Sequence, residues 1–285
     1  MISISGSVGR LGNNNKDDAV IVQGLLNQNL PIPYAPIKVD GDPGNKTIGL
    51  IEGFQRLTMN FANPSGLIAP NSREFTFLSL TCTLPAASGG NALAESDFET
   101  AAKTLGCEVA AIKAVNEIES AGSGYFASGR PKILFEAHIF SRLTKHAYDK
   151  CAPDISSKSW NKKLYKGGEA EYDRLEKAMA LDRAAALQSA SWGRFQIMGF
   201  HYAKLGYTTV DDFIVAMYQS EGRHLEAFVS FIKAANLTKS LTDKNWADFA
   251  RGYNGAGYAE NQYDTKLKKA YDKYAAEIAK SAANK

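Results

Sequence analysis

The stretch "NEIESAGSGYF" (residues 116–126) closes a helical pattern and carries two glutamates one residue apart. Placed on a helix over 107–119, with about 3.6 residues per turn, Ala111, Ile112, Val115 and Ile118 share one side. Glu119 follows Val115 by one helical turn and so falls at the edge of that apolar side. Glu117 falls on the opposite side, one turn after Lys113, which is the spacing of an exposed ion pair. A carboxyl at an apolar helix end is expected to hold its proton more tightly, because burial disfavours the charged form. A carboxyl that stays protonated near neutral pH can act as a general acid. The residues Ser120 to Gly124 are small and helix-breaking, which stops the helix and leaves Glu119 at an open end. An ordinary helix terminus is the alternative for Glu119.

Apolar residues recur at helical spacing over 94–105, 107–119, 136–146, 169–180, 209–217, 221–234, 245–252 and 264–280. "PKILFE" (131–136) is the one short extended piece. The predicted fold is therefore mainly α. Residues 83–93, "TLPAASGGNAL", read as a linker after an N-terminal module. Within that module "DDAVIVQGLLNQ" forms a helix with Asn15 or Asp17 near its start. "VDGDPGNKTIGLIEGFQRL" gives a tight turn and a second helix, with Gly41 and Gly44 assigned to positive-φ turn positions and Ile48, Ile51 and Phe54 as its stripe. A third element near 71–80 would complete a small bundle. The expected boundaries are 1–82, a linker at 83–91, and 92–285. Asp40 and Asp42 do not make a calcium loop, since the glycine and the final glutamate of that motif are missing.

Two later stretches hold planar and hydrogen-bonding groups suited to sugar recognition. "SASWGRFQIMG" (189–199) reads as a turn followed by a helix and contains Gly193 and Gln196. "ARGYNGAGYAENQYDTKL" (250–267) contains Tyr253 and Asn254. Packing turns are the alternative for both.

Taken in order, "NEIESAGSGYF", "GRPKILFEAHIF", "SASWGRFQIMGFHY" and "RGYNGAGY" resemble the lysozyme-like superfamily, and more closely the N-acetylmuramidase domains of phage endolysins. The resemblance spans about residues 94–280. "SVGRLGNNNKDDAVIVQGLLN" and "VDGDPGNKTIGLIEGFQ" are similar to the small three-helix peptidoglycan-binding domain often found beside such catalytic domains. The resemblance implies a lysozyme-like catalytic domain preceded by that binding domain. It implies Glu119 as the catalytic acid, and Gln196, Tyr253 and Asn254 as lining of a glycan cleft. Tyr125 is a candidate sugar-stacking ring, with packing as its alternative, and Asp40 and Gly41 are candidates for wall contact. The implied activity is cleavage between N-acetylmuramic acid and N-acetylglucosamine by an endolysin. An injected antibacterial toxin, a lytic transglycosylase and a non-catalytic wall-binding protein are the alternatives.

Glycosidases usually place a second carboxyl about 5–5.5 Å from the first for retention or about 6.5–9.5 Å for inversion. The next acid after Glu119 is Glu136, in "LFEAHIF", a possible second acid. It would also suit the first turn of a helix, where a carboxylate meets the positive end of the dipole. A more distant Asp182 or Asp264, or the substrate's own hydroxyl, are the other options.

Composition narrows the remaining classes. The chain of 285 residues is 45% hydrophobic and 22% charged, with a net charge of +3, which suits globular domains. Residues 1–80 carry 6 basic and 6 acidic groups, residues 81–263 carry 21 of each, and residues 264–285 carry 6 and 3. No domain has the basic excess of a nucleic-acid-binding face. Cys82, Cys107 and Cys151 lack any C-x-x-C spacing and read as reduced thiols. His138, His146, His201 and His224 form no H-E-x-x-H, so neither a metal nor another cofactor is expected. The N-terminus lacks a signal-peptide pattern and no apolar run reaches membrane-spanning length. The expectation is a monomer made in the host cytoplasm that meets peptidoglycan only after release. In the last segment Leu267, Tyr271, Tyr274 and Ile278 fall on one helix face, with the lysines solvated or drawn to an anionic surface.

Overall fold

The computed structural model describes residues 2–283 apart from 32, 88 and 121. Ala121, inside the opening motif, therefore lies outside the described residues. In chain order the elements are β1 (Val8–Gly9), α1 (Lys16–Gln28), α2 (Asn45–Leu57), β2 (Leu67–Ile68), α3 (Arg73–Ser79), α4 (Glu95–Leu105), α5 (Val109–Glu119) and β3 (Ile133–Phe135). There follow α6 (Ala137–Leu143), α7 (Glu171–Leu181), α8 (Arg183–Gln188), β4 (Ala190–Trp192) and β5 (Ile197–Met198). The chain ends with α9 (Val210–Gln219), α10 (Glu221–Ala234), α11 (Thr238–Thr242), α12 (Trp246–Asn254) and α13 (Tyr263–Ala283). The fold is mainly helical, as the periodicity predicts.

The chain forms two compact units, and the division passes through β3 and β4. The first contains residues 1–84 and 134–190. Its N-terminal part holds three helices, with Val20, Leu25, Leu26, Leu50, Ile51 and Phe54 wholly buried, and β1 pairs antiparallel with β2. The Gln23 side chain pins the turn ahead of α2. Its Oε1 accepts from the backbone of Asp40 and Gly41 at 3.0 and 2.9 Å, and its Nε2 donates to Asp40 Oδ1 and Thr47 Oγ1 at 3.1 Å each. Gly41 has φ +78°, as a turn glycine should. Gly44 does not: it stands at the N-cap of α2 with φ −70°, a conformation open to any residue.

Within this unit α1 packs on α7. Gly24 lets the helices approach until a Cβ there would strike the Ala180 carbonyl. Gln28 Nε2 donates to the carbonyls of Met179 and Ala180 at 3.0 and 2.7 Å, capping carbonyls that have no partner within the helix at the end of α7. The N-terminal helices thus share a compact unit with residues 134–190, and a cut at residue 82 would strip the face of α7 bare. Glu171 and Arg174 form a buried ion pair at 2.6 Å, their side chains 0% and 2% exposed. Glu171 also accepts from the backbone of Phe135, Lys166 and Gly167, so the buried carboxylate is fully bonded, as such a group must be.

The second unit contains residues 85–133 and 191–285. Residues 89–91, expected as linker, are packed here. Gly89 N–H donates to the Gly129 carbonyl at 3.2 Å, Asn91 bridges to Ser220, and a Cβ on Gly90 would meet the Tyr125 hydroxyl. Helix α5 runs through the unit and α13 packs along it. Leu267 and Ala270 of α13 are buried, whereas Ile278, expected on the same face, is exposed. Lys113 pairs with Glu95 at 2.7 Å rather than with Glu117. Glu117 is on the polar face as expected, but its partners are Lys273 and the Tyr274 hydroxyl, both at 2.7 Å.

The motif at 189–199 is a hairpin, not a turn followed by a helix. β4 and β5 pair antiparallel, Ser191 opposite Met198 and Trp192 opposite Ile197. Gly193 at φ +69° and Gln196 at φ +47° make the turn, and such dihedrals cannot begin a right-handed helix. The two short helices α8 and α11 have too few residues to show a period and were not expected.

Candidate active site

The site lies wholly within the second unit. Glu119 is the last residue of α5, where the small residues that follow cannot extend the helix. Its half-buried carboxyl sits in a cleft of about 380 Å³ and is the one acidic side chain among the described residues that line it. Burial raises the carboxyl above its ordinary pKa of 4.5, and the Asn254 hydrogen bond opposes that rise. Asn254 Nδ2 donates to Glu119 Oε1 at 3.0 Å. Asn254 is the last residue of α12, and Gly255 after it takes φ +82°, which favours glycine.

Tyr253 precedes it on α12 and forms part of the cleft wall. Its hydroxyl donates to the Phe195 carbonyl at 3.3 Å, and its ring lies in an aromatic cluster, stacked on Phe249 at 5.8 Å and edge-on to Phe231 at 5.7 Å. Burial, with the neighbouring Glu119 charge adding to it, raises the Tyr253 pKa, so the phenol keeps its proton. Gln196 lies at the rim, but its amide is engaged in the hairpin turn. Nε2 donates to the Gly193 carbonyl at 2.8 Å, and Ser191 Oγ donates to Oε1 at 2.8 Å. Gln196 thereby holds the left-handed turn that presents Phe195, Ile197 and Met198 to the cleft. His201 completes the wall, and burial, with Lys204 nearby, lowers its pKa.

A second layer anchors this geometry. Glu221, at the start of α10, accepts from Gly124 N–H at 2.5 Å, from Ser123 Oγ at 3.1 Å and from Arg194 Nη1 at 2.9 Å. Burial opposes its ionisation, but the Gly124 bond, the Arg194 charge and the Ser123 bond outweigh burial and hold its carboxyl below the usual range. Arg194, in the hairpin turn, also donates through Nε to Asn116 Oδ1 at 2.5 Å. The pair therefore ties together the last turn of α5, the glycine loop after Glu119 and the hairpin. Arg194 N–H donates to His224 Nδ1 at 3.1 Å, so the ring carries its proton on Nε2, which donates to the Met217 carbonyl at 2.7 Å. Gly124 and Gly193 both abut this ring, and a Cβ on either would come within 3 Å of it. That close approach is what the glycine loop is for.

The structure thus brings Glu119, Gln196, Tyr253 and Asn254 together. It does not bring Tyr125 to them. Tyr125 is 7% exposed, its hydroxyl donates to the Met217 carbonyl at 3.1 Å, and its ring packs on His224 at 5.0 Å. Burial, with the Glu221 charge adding to it, pushes its pKa up to about 12. It is a packing residue rather than a sugar platform. Glu136 belongs to the first unit, at the N-cap of α6, where its Oε2 accepts from the Tyr165 hydroxyl at 2.6 Å and lies 3.2 Å from His138 Nδ1. Sequence reasoning missed Arg194, Glu221 and His224; Gly124 and Gly193 were their only trace.

Residues 108–275 match the N-acetylmuramidase family. The chain belongs to that family. The crystal structure of the Burkholderia AP3 phage endolysin is 36% identical over 92% of this chain and 95% of that one, with a TM-score of 0.63. No protein with a curated description matches. As an N-acetylmuramidase the chain is a glycosidase whose substrate is peptidoglycan, and the matched residues include Glu119, the hairpin and α12. Among the described residues of this muramidase, no helix is long and apolar enough to cross a membrane.

Proposed function

We propose that this N-acetylmuramidase is an endolysin in which Glu119 is the general acid. It protonates the oxygen linking N-acetylmuramic acid to N-acetylglucosamine as the bond from that oxygen to the muramic acid anomeric carbon breaks. The observation that carries the reading is the half-buried carboxyl of Glu119, raised in pKa and opening into the cleft. Tyr253 and the hairpin residues shape the wall, and Asn254 orients the carboxyl through Oε1. The likeness to a phage endolysin supports lysis of a host from within as the setting.

Glu119 is the one acid among the described residues that line the cleft, and this favours a second reading, in which the substrate's own hydroxyl attacks and an anhydro sugar is left. Mass spectrometry of digested peptidoglycan separates the two. Hydrolysis gives fragments ending in a reducing N-acetylmuramic acid, one water heavier than the anhydro products of transglycosylation. Release of peptides with intact glycan would contradict both.

The acid must be protonated, so activity is expected to fall as pH rises through the raised pKa of Glu119. Asn254 favours the charged carboxylate by donating to it. Asn254→Leu therefore raises the pKa further and is expected to move the alkaline limb of the pH–rate profile to higher pH. A limb that stays or moves to lower pH contradicts the assignment.

The N-terminal helices remain the proposed wall anchor. Asp40 lines a pocket of about 240 Å³ with Lys38 and Lys46, and Gly41 supplies the turn beside it. Weaker retention of full-length Asp40→Ala than of the parent on purified sacculi is the expected result, and equal retention would remove Asp40 from that role.

A further inference from the structure

Residues 156–168, "SSKSWNKKLYKGG", carry four lysines and no acid around a single tryptophan. The even balance of charge across residues 81–263 conceals this concentration. In the first unit Lys158, Lys162, Lys163 and Lys166 are all exposed, and their ammonium groups form no ion pair among the described residues. Trp160 is 60% exposed, although an indole ordinarily gains most when covered.

The ring is nonetheless fixed. Its Nε1–H donates to the Tyr165 hydroxyl at 2.8 Å, and that hydroxyl donates to Glu136 Oε2 at 2.6 Å. The Arg174 guanidinium lies 5.7 Å from the centre of the Tyr165 ring. Asn161 caps the short turn beyond Trp160 by accepting from Lys163 N–H at 3.1 Å. The indole's only polar group is thus satisfied by a partner within the same unit, and its apolar surface is held out towards solvent. An aromatic group ordered before binding loses little entropy on binding.

We infer that this segment is a second, non-catalytic glycan subsite. Trp160 stacks on the apolar C–H face of an N-acetylhexosamine ring, and the four lysines meet the free carboxylates of the stem peptides of peptidoglycan. The inference rests on peptidoglycan being the substrate. The lysines supply charge complementarity to that polymer, and the tryptophan supplies what charge alone cannot, a hold on the uncharged sugar.

The test is equilibrium binding by the full-length Glu119→Gln protein and by variants made on it. The probes are soluble peptidoglycan fragments, a chitin oligosaccharide without carboxylates, and vesicles containing anionic lipid. Trp160→Ala is expected to weaken binding of both saccharides at least about fivefold, as for a buried aromatic anchor, and Trp160→Phe to restore most of it. Changing Lys158, Lys162, Lys163 and Lys166 together to Gln is expected to weaken binding of the peptidoglycan fragments alone. That loss should shrink as salt screens the charges over about 8 Å. The inference is overturned if both variants bind peptidoglycan as tightly as their parent, or if the lysine variant loses affinity only for the vesicles. Cleavage by the Glu119→Gln parent would count against the acid assignment alone, because the binding ratios are read on a common background.

Discussion

Glu119→Gln is expected to slow glycan cleavage by at least about 10²-fold, the effect of removing a positioned general acid. The amide matches the carboxyl in shape and still accepts the Asn254 bond, but it has no proton to donate. Folding should not suffer. The folded protein holds the Glu119 proton more tightly than the unfolded chain, so this group's contribution to stability is present below pH 4.5 and lost as pH rises through its raised pKa. Glutamine cannot take on a charge in this half-buried setting, so the melting temperature should stay level or rise, the more so at higher pH. Glu117→Gln should remain near the parent in both respects, since its exposed pairing with Lys273 is screened by solvent and contributes little. An inactive Glu117 variant beside an active Glu119 variant would reverse the roles.

Glu221→Ala is expected to destabilise the protein by about 3–5 kcal/mol, the cost of leaving one member of a buried ion pair alone. The side chains of Arg194 and Glu221 are 14% and 5% exposed, so water does not replace the lost partner well. The glycine loop after Glu119 also loses the acceptor for Gly124 N–H, and activity of the remaining folded protein should fall as the carboxyl loses its setting. Glu226→Ala is the control. It breaks the exposed pair with Arg223 at 2.6 Å and should cost at most about 1 kcal/mol. Denaturant unfolding of the three proteins decides the matter, and equal midpoints for Glu221→Ala and Glu226→Ala would show that the buried pair anchors nothing.

Much of this was legible in the sequence because it depends on local periodicity. The thirteen residues around Val115 placed Glu119 at the edge of an apolar face, and the helix ends there in the structure. The long helices follow the same logic, since an apolar stripe needs several turns to declare itself. The hairpin at 189–199 was misread because its strands are two or three residues long and show no alternation. Tyr125 stays open between sugar stacking and packing on sequence alone, because nothing local distinguishes an aromatic that packs on His224 from one that faces a cleft. The Arg194–Glu221 pair and the packing of α1 on α7 join residues far apart in the chain, and single-sequence spacing carries no record of such contacts. Gly24, Gly124 and Gly193 hinted at close approaches without naming the other party. The lysines around Trp160 were visible but averaged away in a count taken over a whole domain.

Titration of the Glu119 side-chain carboxyl by carbon-13 NMR tests most directly whether this residue is the proton donor, with Glu119→Gln used to assign its signal. The expected midpoint lies above 4.5 and coincides with the alkaline limb of the pH–rate profile. A midpoint at or below the ordinary carboxylate value, or one that does not track activity, would contradict Glu119 as the general acid.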